Sequence, residues 1–183
     1  QDRTDKKHRG RLLHKRIHPR LRRGELLKID IDNLEETYDK CICTGNIKEK
    51  NTVDRELIIS LKEISSKGLA FIKEKSKNIP KDSTDWTFVF RDYYEALRCL
   101  IDAYLLFDKI TAESHQCKNA HICQKHPELE LDWEFLETAR LKRNAINYRG
   151  QLLKYEDWEF LKLKFELHMS KLKTDIEEKL KQK

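Results

Sequence analysis

The segment Arg140-Leu-Lys-Arg-Asn-Ala-Ile-Asn-Tyr-Arg-Gly150 gathers guanidinium, amide and phenol groups at helical spacing. On a helix, Leu136, Ala139, Arg143 and Ile146 fall on one stripe, so Arg143 stands where the period asks for an apolar residue. An inward guanidinium has to be paired or has to line a cleft. Asn147 follows Arg143 by four residues, and Arg140, Asn144 and Tyr148 form a neighbouring ladder at the same spacing. This patch is rich in donors and contains no carboxylate of its own. It suits a phosphate group, because a guanidinium fork matches phosphoryl oxygens and keeps its charge at any working pH. The competing reading is a structural Arg143 paired inside the fold with Asp102 or Glu95, and spacing alone leaves both open.

A second set lies upstream. Arg91, Glu95, Arg98 and Asp102 are spaced four, three and four, which lines opposite charges along one helix face. Such a face is either solvated and paired with itself or turns Glu95 or Asp102 into a cleft. Further on, Cys117, His121, Cys123 and His126 invite a zinc reading. Within one helix, however, Cys117 and His121 share a face that Cys123 and His126 do not, so one ion could not reach all four, and no metal site or cofactor is expected. Cys41 and Cys43 form an isolated C-x-C. Gly-rich phosphate loops, nucleophile elbows and H-E-x-x-H helices are absent from the sequence.

These groups need a scaffold. The 183 residues suit one domain of usual size. Charged and hydrophobic residues each make up 38%, and a mean hydropathy of −0.81 excludes an integral membrane protein. Five Gly and 3 Pro are too few for the turns of a many-stranded fold, which favours all-α. Five Cys is an odd number with no secretory segment before it. The expectation is therefore free thiols and a cytoplasmic, reducing compartment.

The net charge of +6 is unevenly placed. Residues 1–24 carry ten Lys/Arg against Asp2 and Asp5, an excess of eight, and the remainder of the chain has two more acidic than basic residues. Within this basic arm Arg9, Arg11, Lys15, Arg16, Arg20, Arg22 and Arg23 are the candidate contacts to a polyanion. Gly10, Pro19 and Gly24 limit any helix there, and a solvated tail is the alternative.

Periodicity then predicts helices from Glu25 to about Cys43, ending at Gly45, and from a Thr52 or Asn51 cap to about Lys77, with Leu57, Leu61, Ile64, Leu69 and Ile72 inward. Asp82 or Ser83 opens a central helix from Trp86 to about Ile110 that is apolar around most of its circumference. A short helix or structured connection covers 114–126. A helix opens near Asp132 and runs to Gly150, and a last one runs from about Tyr155 to Lys181. Trp86, Trp133 and Trp158 each begin a helix beside its apolar stripe and are expected in the core.

The segments FRDYYEALRCLIDAYLLFDKI (90–110), ESHQC (113–117), ELELDWEFL (128–136) and LKRNAINYRG (141–150) together resemble the HEPN domains of prokaryotes. The likeness is nearest to archaeal members whose final motif reads Arg-Asn-x-x-x-Tyr/His before a Gly. The resemblance implies a four-to-five-helix up-and-down bundle over 25–183, with the basic arm at 1–24. It also implies a homodimer whose two motifs line one cleft, and a metal-independent endoribonuclease of toxin-antitoxin or defence type acting on transfer or messenger RNA. A small nucleotidyltransferase antitoxin is the implied partner. In that family's chemistry Arg143 would stabilise the scissile phosphate, Asn144 would orient it, and a His would move the proton of the RNA 2′-hydroxyl. The His is Tyr148 here. A phenol donates hydrogen bonds at neutral pH rather than acting as a base, and His115 is the alternative imidazole. Arg140, Asn147, Asp102 and Glu95 would support the site. The competing reading is a non-catalytic HEPN module that partners a nucleotidyltransferase and holds nucleotide or nucleic acid. A third is a purely structural helical adaptor.

Overall fold

The structure is a computed structural model that describes residues 31–182. The basic arm with Arg9, Arg11, Lys15, Arg16, Arg20, Arg22 and Arg23 lies outside the described residues, as do Leu26 and Leu27 of the first expected helix. That helix, α1, spans Leu34–Cys43 and starts where the Asn33 side chain accepts the Glu36 N–H at 3.2 Å. A short strand, β1 (Ile47–Glu49), leads to α2 (Arg55–Ser76) and α3 (Trp86–Phe107). Strand β2 (Ile110–Ala112) pairs antiparallel with β1, Ile47 opposite Ala112. Helix α4 (His115–Lys125), a 3-10 turn at Pro127–Leu129, α5 (Trp133–Arg149) and α6 (Tyr155–Lys181) complete the described chain.

The chain is thus mostly helical, as its composition predicts, and α3 is the helix the others enclose. It packs against α2, α4, α5 and α6. Phe90, Tyr93, Leu97, Leu100, Tyr104 and Leu105 on α3 are essentially inaccessible. The Phe165 ring of α6 sits edge-on to Phe90 at 5.5 Å and to Tyr93 at 6.0 Å. Trp86 and Trp158 are buried, whereas Trp133 is only partly so and donates its indole N–H to the Asp32 carbonyl at 2.9 Å.

Several boundaries follow sequence signals. Gly150 ends α5 at φ 63°, a left-handed conformation that glycine takes without steric cost. Its N–H reaches Ile146 O and that of Gln151 reaches Ala145 O, both at 3.2 Å, which closes the helix. Other expectations are corrected. Asp54, not Asn51 or Thr52, caps α2 by accepting the Leu57 N–H at 2.9 Å. Asp85, rather than Asp82 or Ser83, immediately precedes α3, and α3 stops at Phe107 because Ile110 is recruited to the β ribbon.

The buried stripe of α2 is Ile58, Ser65 and Ile72, while Leu57 and Ile64, expected inward, are exposed at 39% and 59%. The small Ser65 lets α2 lie close on α3, and its hydroxyl donates to the Ala96 carbonyl at 2.8 Å. That contact selects the stripe next to the one with more carbon.

The cysteines also depart from expectation. Cys41 on α1 and Cys117 on α4 form a disulfide across 76 residues, with their Cα atoms 5.7 Å apart. Cys43, Cys99 and Cys123 are free. The sequence shows an odd count, but only the packing of α1 on α4 brings this pair together. None of the described helices is long and apolar enough to cross a membrane.

A cross-link over so long a loop removes much unfolded-chain entropy. Reduction, or Cys41→Ser, is expected to lower unfolding stability by about 4 kcal/mol, read from urea unfolding with and without dithiothreitol. Thiol titration in denaturant should give three reactive groups per chain before reduction, the number free in the structure.

Candidate functional site

Three elements meet at the polar stripe of α3. From α3 come Glu95, Arg98 and Asp102, spaced three and then four so that Arg98 lies between the two carboxylates. It donates to Glu95 Oε2 from Nε and to Asp102 Oδ2 from Nη1, each at 2.6 Å. From α5, Arg143 donates to the other Glu95 oxygen at 3.0 Å from Nη2 and 3.3 Å from Nε. From α4, Lys118 pairs with the second Asp102 oxygen at 2.7 Å. The result is a chain of alternating charge, Arg143–Glu95–Arg98–Asp102–Lys118, that joins three helices. Arg143 does occupy its apolar stripe, with Leu136 and Ala139 buried beside it, and its side chain is 17% exposed. Of the two carboxylates open to it on spacing, it takes Glu95.

A second pair runs beside the first. Glu137 is 1% exposed and accepts from Arg140 through both oxygens, at 2.6, 2.9 and 3.0 Å, while Asn119 of α4 donates to it at 3.0 Å. The donor ladder of α5 therefore has a carboxylate of its own, three residues before Arg140. That spacing was visible in the sequence.

His115 is the first residue of α4, placed there by Ser114, whose hydroxyl oxygen accepts the Cys117 N–H at 3.1 Å. Its Nδ1 lies 2.8 Å from the Tyr94 hydroxyl, and the Arg143 guanidinium sits 5.8 Å from the Tyr94 ring centre. Burial, then the positive charges of Lys118, Arg143 and Arg98, hold the His115 imidazole below its ordinary pKa, against an opposing contribution from Glu95. Burial pushes the Tyr94 hydroxyl up. Burial also raises the Glu95 carboxyl, but the hydrogen bonds and charges of Arg98 and Arg143 outweigh it and hold Glu95 below the usual range. At neutral pH the site thus holds a neutral imidazole, an ionised Glu95 and several fixed cations. If Nδ1–H donates to the Tyr94 oxygen, the Nε2 lone pair is left to take a proton.

The remaining candidates are placed apart from this centre. Asn144 is partly buried and accepts from Arg143 Nη1 only at 3.5 Å. Asn147 is exposed, and Tyr148 is 77% exposed on the last turn of α5 with no hydrogen bond to the described residues. Tyr94, Lys118, Asn119 and Glu137 were not singled out from the sequence. Tyr94 reads there as one more aromatic of a buried helix, and Lys118 carries no local signal. The crevice between Tyr94, Arg98, His115 and Lys118 has a volume of about 10 Å³, room for one water. It cannot enclose a nucleotide, so any phosphate ligand has to lie across the surface. No family model, curated protein or solved structure matches the chain.

The two carboxylates differ in what their loss should do. Glu137→Gln leaves Arg140 in a buried setting without its counter-charge and is expected to cost about 3 kcal/mol. Glu95→Gln, at a half-open position, should cost about 1 kcal/mol or less. Urea unfolding of the two variants checks the order.

Proposed function

We propose that the chain is an RNA-binding HEPN-type module that cleaves RNA without a metal ion, with Arg143 at the scissile phosphate. The observation that carries this reading is the half-buried His115 ring, 2.8 Å from the Tyr94 hydroxyl, whose pKa burial and the charges of Lys118, Arg143 and Arg98 lower. His115 supplies from α4 the base that position 148 lacks. Its Nε2 would take the 2′-hydroxyl proton while Arg143, reoriented from Glu95, would stabilise charge on the phosphoryl oxygens. Asn144 would orient the phosphate. Tyr148, one turn further out on the same helix, fits contact with a second copy or with the RNA strand rather than proton transfer. A symmetric homodimer would bring two such sites together, and a nucleotidyltransferase partner would cover them.

The alternative is the non-catalytic module. It is favoured by the pairing of Arg143, Arg98 and Arg140 with carboxylates, since a cation already neutralised gives up part of its attraction for phosphate.

Incubation with total transfer and messenger RNA in excess EDTA separates the two. Cleavage should fall about 100-fold or more in Arg143→Ala and in His115→Gln, and persist in Tyr148→Phe. Since the His115 pKa is lowered, the base stays neutral through pH 7. The rate should decline only as the pH falls below about 6.5, the ordinary imidazole value, and His115→Gln should lose that limb. RNA that binds and is never cut overturns the catalytic reading in favour of the module. Separately, removing residues 1–24 should weaken RNA binding and flatten its salt dependence, because eight net positive charges are lost. Filter binding across a salt series measures it.

A further inference from the structure

Asp108, the residue that ends α3, faces two imidazoles. His126 Nε2 lies 2.6 Å and His121 Nε2 3.3 Å from the same oxygen, Oδ2. The three potential ligand atoms all fall within 4.8 Å of one another. Their side chains are 21%, 14% and 7% exposed for Asp108, His126 and His121, so the cluster is largely withdrawn from solvent. The far nitrogen of His126, Nδ1, lies 2.9 Å from Glu128 Oε1.

His126 therefore has a carboxylate oxygen against each ring nitrogen. Without a metal, an imidazolium would donate to both; a neutral imidazole has one N–H and serves only one of them. With the proton on Nδ1, donated to Glu128, the Nε2 lone pair points at Asp108. His121 brings a second Nε2 to the same oxygen. A cation at this point would accept both lone pairs and the carboxylate together. Glu128 would then hold the outer N–H of a ligating His, the arrangement that fixes ring orientation in metal sites.

We infer that Asp108, His121 and His126 form a divalent zinc site that pins the C-terminal end of α4 to the end of α3. Two imidazoles and one carboxylate select a borderline transition metal over Mg²⁺ or Ca²⁺, which ask for oxygen alone. Three protein ligands leave the fourth tetrahedral position to water. At Zn–N and Zn–O bonds of about 2.1 Å, tetrahedral ligands sit about 3.4 Å apart, close to the present His121–Asp108 spacing. His126 has only to draw back slightly and the rings to close in.

The sequence hid this site because five residues along a helix place side chains about 140° apart. The chain leaves α4 at Lys125, and His126, at φ −126° and ψ 60°, turns back toward His121. The Tyr104 ring, edge-on at 4.8 Å, backs it. Asp108 lies about 9 Å along α3 from Asp102, so the site is separate from the Arg143 centre and stands or falls without it.

The test is titration of the EDTA-treated, dialysed full chain with zinc chloride by calorimetry, with cobalt(II) as the spectroscopic probe. One zinc per chain is expected, with a thermal midpoint that rises with zinc concentration. Cobalt should show tetrahedral visible bands without a thiolate charge-transfer band. His126→Gln should abolish binding, and Glu128→Gln, at an exposed side chain, should weaken it about 10–100-fold. Circular dichroism establishes that each variant is folded. Failure of the folded chain to take zinc overturns the inference. So does zinc binding that persists in His126→Gln, which would place the ion on His8, His14 and His18 or on the free thiols. Should His126→Gln not fold, unchanged affinity in Glu128→Gln overturns it equally.

Discussion

Helix α3 buries fifteen of its twenty-two residues, and no single partner can cover a helix that is apolar around so much of its circumference. Four other helices are drawn to it, and the one line they leave unfilled is the stripe of Arg91, Glu95, Arg98 and Asp102. The place of the charged centre in the fold is thus a residue of packing. Hydrophobic burial decides which side of α3 stays polar, and that side then determines what α4 and α5 must present to it. Arg143 can stand in an apolar stripe of α5 because Glu95 is waiting opposite.

The electrostatics of this seam explain why its members hold each other in place. Arg98 is clamped at both ends by its own helix, so it is a fixed charge on which others are built. Glu95 and Asp102 each have one oxygen left, and each uses it to bind a different neighbouring helix, through Arg143 and Lys118. Cations and carboxylates nearly balance, and the small surplus of positive charge falls around His115. An imidazole there is discouraged from taking a second proton and the positive charge that comes with it.

Local signals made much of this legible. The bounds of α6, the Gly150 stop of α5 and the dominance of α3 all follow from spacing and capping, which act within a few residues. The inward position of Arg143 was likewise visible from the period. Its choice of Glu95 was not, since the partner lies 48 residues away. The same limit covers the rest. The β1–β2 ribbon joins segments of three residues, too short for a period to show. The α2 face departs from its hydrophobic period because Leu57 and Ile64 outweigh Ser65 by composition, while close approach of the helices favours the smaller residue. The Cys41–Cys117 bridge and the meeting of His121 with His126 depend on where helices end and what they pack on.

The disulfide has one further consequence. Cys41, Ala112 and Cys117 form a small apolar cluster of their own, apart from the main core, and α1 leans on α4 rather than on α3. Covalent attachment makes α1 part of the bundle's cooperative unit. Reduced, it would be a ten-residue helix held by little buried surface, able to open as a separate foldon while the bundle stays intact. His115 is two residues from Cys117, so the rigidity with which the imidazole is presented would then follow the thiol state of a cysteine 76 residues away in sequence from its partner.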